Sequence, residues 1–402
     1  MRRSFAVLSR IGMQSVVRKD AASPASIVAA AFFGTRLPIL VFGAIAASIV
    51  GTIPPPVAEA AWRVSSHEVV NVLARWDTFF YYTIATDGYS WNPAVFLHYN
   101  VVFFPLYPVL MRWGGIALGG HPLLAGLLIS LAAFAGALAL LYRLAQLELG
   151  EDYAWRVILL LATFPYALYF SAVYTESLFL FLSVGAFYAM RRGYLGSTAI
   201  FGLAAGLTRP NGFWLALPLA LLALSRPDRD AADDNRPRVS VPLSLLVAAV
   251  PILGVTMFSA YLQWRFGDAL AWVHGQAAWG VPLLLRRGAP DPFKLPGEPA
   301  IKPIEVITWT GNIAAFVAAA YSIRPISRRL GLPYGAWIAV NIFPPVVAHL
   351  FLSLGRFVSV LFPFFFWLAI RIPRDRLARV AGVFAVCQVV LAIWFFLWRP
   401  VV

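Results

Sequence analysis

Asp77 and Tyr81 lie four residues apart in a run of aromatic and polar residues. Arg75 and Trp76 precede them, Asp87, Gly88 and Tyr89 follow, and then comes Phe103-Phe104-Pro105-Leu106-Tyr107-Pro108. On a short helix that spacing puts Asp77 and Tyr81 on one face. A carboxylate held at an apolar boundary becomes more basic through partial desolvation, as proton abstraction requires, whereas Arg75 or a bound ligand opposes that effect. The other reading of Asp77 is a helix cap or an ion-pair partner. Four further polar motifs stand out against an apolar background: Tyr174-Thr175-Glu176-Ser177, Thr208-Arg209-Pro210-Asn211-Gly212, Phe266-Gly267-Asp268 and Gly355-Arg356. Arginines at the ends of membrane spans can simply snorkel to water, and Pro210-Asn211-Gly212 can be only a turn. Taken together the motifs suggest one polar cavity.

The background itself sets the class. Of 402 residues, 60% are hydrophobic and 12% charged, and the mean hydropathy is +0.76. That composition excludes soluble enzymes, disordered tails and nucleic-acid modules, so the net charge of +14 calls for a topological explanation rather than a polyanionic ligand. The single cysteine, Cys387, cannot form an internal disulfide, and the chain has no CxxC pair and no Asn-x-Ser/Thr sequon. The Arg-rich start from Met1 to Lys19 reads as a cytoplasmic anchor, because no long apolar run begins before Leu37.

Segments long enough for a bilayer core fall at about 34–53, 122–142, 155–173, 176–190, 196–208, 212–225, 240–262, 304–323, 334–353, 357–370 and 380–398, which makes eleven expected spans. The apolar stretch from Asn100 to Gly119 is interrupted by Pro105, Pro108 and Arg112 and reads as interfacial or re-entrant. Charge asymmetry supports this choice. With eleven spans and the N-terminus inside, 21 of the 32 Lys and Arg residues face the cytoplasm, against 14 if Asn100 to Gly119 also crossed. The expected organisation is a basic cytoplasmic segment over 1–33 and a single integral-membrane domain over 34–398. That domain would carry outer loops over 54–121 and 264–303 and a cytoplasmic linker over 225–239. The outer loops hold Glu59, Glu68, Asp77, Asp87, Asp268, Asp291 and Glu298. All the polar motifs then lie at outer ends of spans.

The Trp-Asp motif with its downstream Gly88-Tyr89, the Phe103-to-Pro108 segment, Ser171-to-Leu180, Leu207-to-Gly212, the run from Arg265 to Gly280 and the run from Leu354 to Pro363 resemble bacterial members of the PIG-V family. These are relatives of the second mannosyltransferase of GPI-anchor assembly. The resemblance covers about residues 70 to 370 in motif order. It implies a type C glycosyltransferase fold in a bacterial plasma membrane, with an extracytoplasmic active site. It also implies a polyprenyl-phosphate sugar donor, mannose being the family's sugar, and a glycolipid, glycan or protein acceptor. The family's catalytic aspartate in the first outer loop corresponds to Asp77.

An inverting transfer needs a base for the acceptor hydroxyl and cations for the departing lipid phosphate. Asp77 fits the first role, and Arg209 and Arg356 fit the second, since a guanidinium keeps its charge in a low-dielectric cleft and binds phosphate through two donors. Arg75, Trp76, Tyr81, Asp87, Tyr89, Tyr107, Glu176, Asn211, Asp268, His274 and Gln276 are candidates for substrate binding or support. His98 and His274 can meet sugar hydroxyls or pack at the interface. No cofactor is expected: a monophosphate leaving group does not oblige a metal, and the five histidines show no paired ligand spacing. Asp228-Arg229-Asp230 spells the DxD of metal-dependent transferases but falls in a mixed-charge linker, and is read as solvated. The rival functions are a transporter or flippase of lipid-linked sugars, which should show repeats and mid-membrane charges, and a catalytically silent subunit.

Overall fold

The computed structural model describes residues 23–50, 64, 68–72, 74–95, 99–225, 240–276, 303–349, 353–399 and 401. All regular structure among these residues is helical. The helices are α1 (Pro24–Val50), α2 (Glu68–Asn71), α3 (Thr78–Thr86), α4 (Leu106–Ala117), α5 (Pro122–Leu149), α6 (Glu151–Thr163), α7 (Glu176–Arg192), α8 (Leu195–Gly206), α9 (Ala216–Leu224), α10 (Val241–Ala248), α11 (Val250–Phe266), α12 (Ala271–His274), α13 (Pro303–Leu330), α14 (Leu332–His349), α15 (Leu354–Ser359), α16 (Phe362–Arg371) and α17 (Arg374–Phe396). Short 3-10 turns run over Asn100–Val102, Pro165–Ser171 and Pro210–Leu215.

The expected apolar segments fall on helices, but the count of eleven full-length spans does not follow from them. Among the described residues, five helical stretches are individually long and apolar enough to cross a bilayer: Pro24–Val50, Pro122–Leu149, Val241–Phe266, Val306–Leu330 and Arg374–Phe396. A sixth arises if Glu151–Thr163 and Pro165–Ser171, which meet at an 80° bend, form one broken span. The helices over Leu195–Gly206, Pro210–Leu224 and Phe362–Arg371 are shorter. Proline and glycine explain the shortening: they interrupt helix exactly where hydropathy alone reads on. Asn100 to Gly119 becomes a 3-10 turn and the 12-residue α4, roughly 18 Å at 1.5 Å per residue and too short to span.

The centre of the protein is α7. Both its faces are buried, from Glu176 through Met190 with few breaks, which explains why its sequence shows apolar residues all round rather than one stripe. It packs on α5, α8 and α9. Around it lies a large apolar core, and a smaller cluster of Val101, Phe104, Val255, Phe258, Leu262 and Ala271 lies beside it.

The first helix begins at Pro24, ten residues before the expected span. Arg36 therefore sits in mid-helix rather than at a cytoplasmic end, which corrects its assignment in the charge count. It is 1% exposed. Its guanidinium donates to the carbonyls of Ala167 at 2.5 Å and Ala162 at 2.8 Å and to Ser171 Oγ at 3.1 Å, and it lies 4.8 Å from the Phe134 ring centroid. Gln388 Nε2 adds bonds to the Ala162 and Phe164 carbonyls. The broken helix exposes carbonyls that lipid cannot satisfy, and these two side chains satisfy them. Arg36→Met keeps much of the volume but removes the donors. It should destabilise the protein by about 1–3 kcal/mol, the cost of a buried acceptor left unpaired, read as a lowered unfolding midpoint in detergent.

Candidate active site

The Arg75-Trp76-Asp77 turn enters α3 with Trp76 in the left-handed region at φ 52°, an uncommon conformation for a bulky residue. The Trp76 ring meets Trp398 edge to face, with centroids 5.4 Å apart. Asp77 occupies the N-cap position of α3 yet makes no side-chain cap bond, so the capping alternative is not the one realised. The turn is held by Tyr174, whose hydroxyl accepts from the Asp77 N–H at 3.1 Å and donates to the Arg75 carbonyl at 3.4 Å. Thr78 Oγ1 donates to the Val173 carbonyl at 3.3 Å, and the Tyr81 hydroxyl pairs with Thr175 Oγ1 at 3.1 Å. Residues 173–175 thus serve as a rail for α3. The next residue, Glu176, opens α7.

Four charged side chains meet here. Arg356 donates through Nη1 to Asp77 Oδ2 at 2.6 Å and through Nε to Glu176 Oε1. Arg209 Nη1 donates to the same Glu176 oxygen at 2.6 Å. The residues come from four segments, and Asp77 and Arg356 are 279 positions apart. The side chains of Asp77, Arg356, Arg209 and Glu176 are 20%, 14%, 11% and 0% exposed, so the cluster opens on the Asp77 side and closes behind Glu176. Aromatic rings flank both cations. Tyr174 and Tyr169 have centroids 4.5 and 5.3 Å from the Arg356 guanidinium carbon, and Phe357 and Phe179 stand 5.5 and 5.8 Å from that of Arg209. Such rings favour a desolvated cation and restrict its swing.

Backbone fit places both arginines. A side chain on Gly212 would overlap the Ala205 carbonyl, and one on Gly355 would overlap the Tyr166 ring. Asn312 Oδ1 accepts from the Gly355 N–H at 2.7 Å, while its Nδ2 donates to the Thr308 carbonyl at 2.9 Å. Gly355→Ala must push α15 away from Tyr166 and shift Arg356 with it. We expect any activity that depends on this cluster to fall on the order of 10²-fold, although no charged group is altered. A steady-state assay of the variant checks this.

The other expected residues are distributed unevenly. Arg75 is buried against the protein, donating to the carbonyls of Phe396 at 2.8 Å and Asn71 at 2.5 Å, with its guanidinium 5.0 Å from the Trp398 ring. Tyr107 lies behind Tyr81, its hydroxyl bonded to the Gly126 carbonyl and Ser130 Oγ. Asn211 pairs with Asn341 at 3.1 Å. Asp87 is exposed at the far end of α3, about 15 Å along the helix axis from Asp77, and is not brought into the cluster.

Tyr89 donates to the Phe103 carbonyl at 2.8 Å and packs on Phe258 and Tyr261. It belongs to the smaller apolar cluster, as does the neighbourhood of Asp268 and His274, which pair at 2.9 Å. Burial works against the Asp268 charge, but hydrogen bonds from His274, the Leu270 N–H and Trp91 outweigh it and hold its carboxyl below the usual range. Gln276 is half-buried just after α12. The two regions touch through adjacent rings: Phe103 stacks on Phe80 and meets Tyr81, while Phe104 meets Phe258 and Trp272. Glu59, Asp291, Glu298, His98 and Asp228-Arg229-Asp230 lie outside the described residues. Among the described residues no three His, Cys, Asp or Glu side chains gather as a metal site would require.

Tyr174, Tyr169, Thr175 and Asn312 are absent from the expected set. Tyr174 and Thr175 stand beside Glu176 in a motif already singled out, and a buried Asn in an apolar helix is itself a signal. Tyr169 offers no such cue.

A family model described as Mannosyltransferase (PIG-V) matches residues 52–264, more than half of the chain. No curated protein sequence matches it. Among solved structures, the Archaeoglobus fulgidus oligosaccharyltransferase tethered to an acceptor peptide containing the NVT sequon is similar at 15% identity and a TM-score of 0.42, over 90% of this chain and 55% of that one. The archaeal oligosaccharyltransferase AglB from Archaeoglobus fulgidus, in complex with an inhibitory peptide and a dolichol-phosphate, is similar at 14% identity and a TM-score of 0.40, over 91% and 56%. The chain spans about half the length of these structures.

Proposed function

Because the chain belongs to the mannosyltransferase (PIG-V) family and is a transferase enzyme, we propose that it moves a hexose, mannose by family, from a polyprenyl-phosphate donor to a glycolipid, glycan or protein acceptor, with inversion at the anomeric carbon. The observation that carries this reading is the Asp77–Arg356–Glu176–Arg209 cluster, which sets a partly open carboxylate beside two guanidiniums. In the proposed reaction the acceptor oxygen forms its bond to the anomeric carbon as its proton passes to Asp77. The bond from that carbon to the phosphate oxygen breaks, and the electron pair leaves on the lipid phosphate. Arg356 and Arg209 stabilise the charge that develops there. Glu176 holds the two cations side by side, and Tyr81 and Tyr107 brace the helix that carries Asp77. The whole would form a type C glycosyltransferase arrangement in a bacterial plasma membrane, with the site on the outer side.

The deciding experiment is transfer by the purified chain from polyprenyl-phosphate-mannose to a membrane glycolipid extract, with Asp77→Asn alongside. Absence of any sugar transfer from that donor class removes the reading. Topology is tested separately with single cysteines at the exposed positions 87 and 225, in a background where the exposed Cys387 is replaced by serine. An impermeant maleimide added from outside should modify position 87 only. Modification of 225 alone would put the site in the cytoplasm.

A further inference from the structure

Resting on the reading that Arg356 grips the donor phosphate, we infer that Asp77 and that phosphate compete for Arg356, so that donor binding itself unmasks the base. Asp77 Oδ2 commits a lone pair to Arg356 Nη1 at 2.6 Å, and the guanidinium held there opposes the arrival of a proton on the same carboxylate. The two carboxylates on Arg356 are not equivalent. Glu176 is fully buried, engages Nε, and is shared with Arg209, whereas Asp77 is the most exposed member of the cluster and engages the outer nitrogen. An anion arriving from the open side meets the Asp77 edge of the guanidinium first.

Glu176 and the rings of Tyr174 and Tyr169 hold Arg356 in place while that edge changes partners. Charge counting gives the direction. Two carboxylates and two guanidiniums sum to zero, and a phosphodiester brings one negative charge that the cluster does not balance. The displaced Asp77 then has reason to accept a proton, at the moment a donor is present to use it. Without donor the base stays masked, and water and acceptor hydroxyls go unactivated.

The inference is tested by the binding of farnesyl monophosphate to the full chain in detergent, measured by calorimetry. Asp77→Asn keeps the shape but reduces the competitor to a neutral acceptor, and should bind the probe at least fivefold more tightly than wild type. Asp77→Ala should show the same sign, which guards against a misfolded single variant. Wild-type or weaker binding by both, with Arg356→Ala binding poorly, overturns the competition and leaves the phosphate role intact. Wild-type binding by Arg356→Ala and Arg209→Ala overturns the phosphate role itself.

Discussion

Asp77→Asn should fold and hold the donor but transfer sugar 10² to 10⁴ times more slowly, a barrier increase of roughly 3 to 5 kcal/mol. Asparagine is nearly isosteric and can still accept the Arg356 bond through its amide oxygen, so the cluster geometry survives, but the amide cannot take the acceptor's proton. Single-turnover transfer with pre-bound donor separates this from a binding defect. Asp87→Asn is the internal comparison. Asp87 is exposed at the opposite end of α3 and bonded to Thr86 Oγ1 at 3.1 Å, so its substitution should leave turnover near wild type. A dead Asp87→Asn beside an active Asp77→Asn would transfer the base to Asp87. Full activity in both would remove the carboxylate base altogether.

Glu176→Ala is the second large effect, and it acts on stability as well as rate. The Glu176 side chain is wholly buried and bonded to both Arg209 and Arg356. Its removal leaves two guanidiniums close together, with Asp77 still paired to Arg356 and no carboxylate of the cluster bonded to Arg209. Breaking a buried pair from one side costs about 3–5 kcal/mol, and the unfolding midpoint should drop accordingly. Transfer should be undetectable because neither cation keeps its place. Glu176→Gln separates the two consequences, since it preserves the volume and one acceptor while losing the charge. It should recover much of the stability and little of the activity. Arg209→Lys should be milder than Arg209→Ala if Arg209 grips phosphate, because lysine keeps the charge but loses the two-pronged fork.

The helical membrane class was legible in composition, since 12% charged residues among 60% hydrophobic ones leave no soluble alternative. The polar motifs were legible too, and Asp77, Glu176, Arg209 and Arg356 meet although they come from four segments. What hydropathy could not supply was the length of each helix. The break at Phe164 and the short helix after Gly193 are set by residues that a smoothed profile averages away. Nor could it place Arg36, because a positive charge near an apolar run reads as a flank unless its buried acceptors are known. Arg75 was misleading for a related reason. It adjoins Asp77 in sequence, yet the left-handed Trp76 separates their directions, and Arg75 ties the turn to the carbonyl of Phe396.

Tyr174 couples three positions energetically. One phenol accepts from the backbone N–H of Asp77, donates to the carbonyl of Arg75, and offers its ring to Arg356, the cation that pairs with Asp77. Mutations there cannot be independent of mutations at 77 and 356, because each of the three positions is scored against the other two. Such a triad is epistatic: Tyr174→Phe keeps the ring but frees the turn, and a compensating change at 77 or 356 alone cannot restore both. In a double-mutant cycle, Tyr174→Phe and Arg356→Ala should therefore combine to less than the sum of their separate effects.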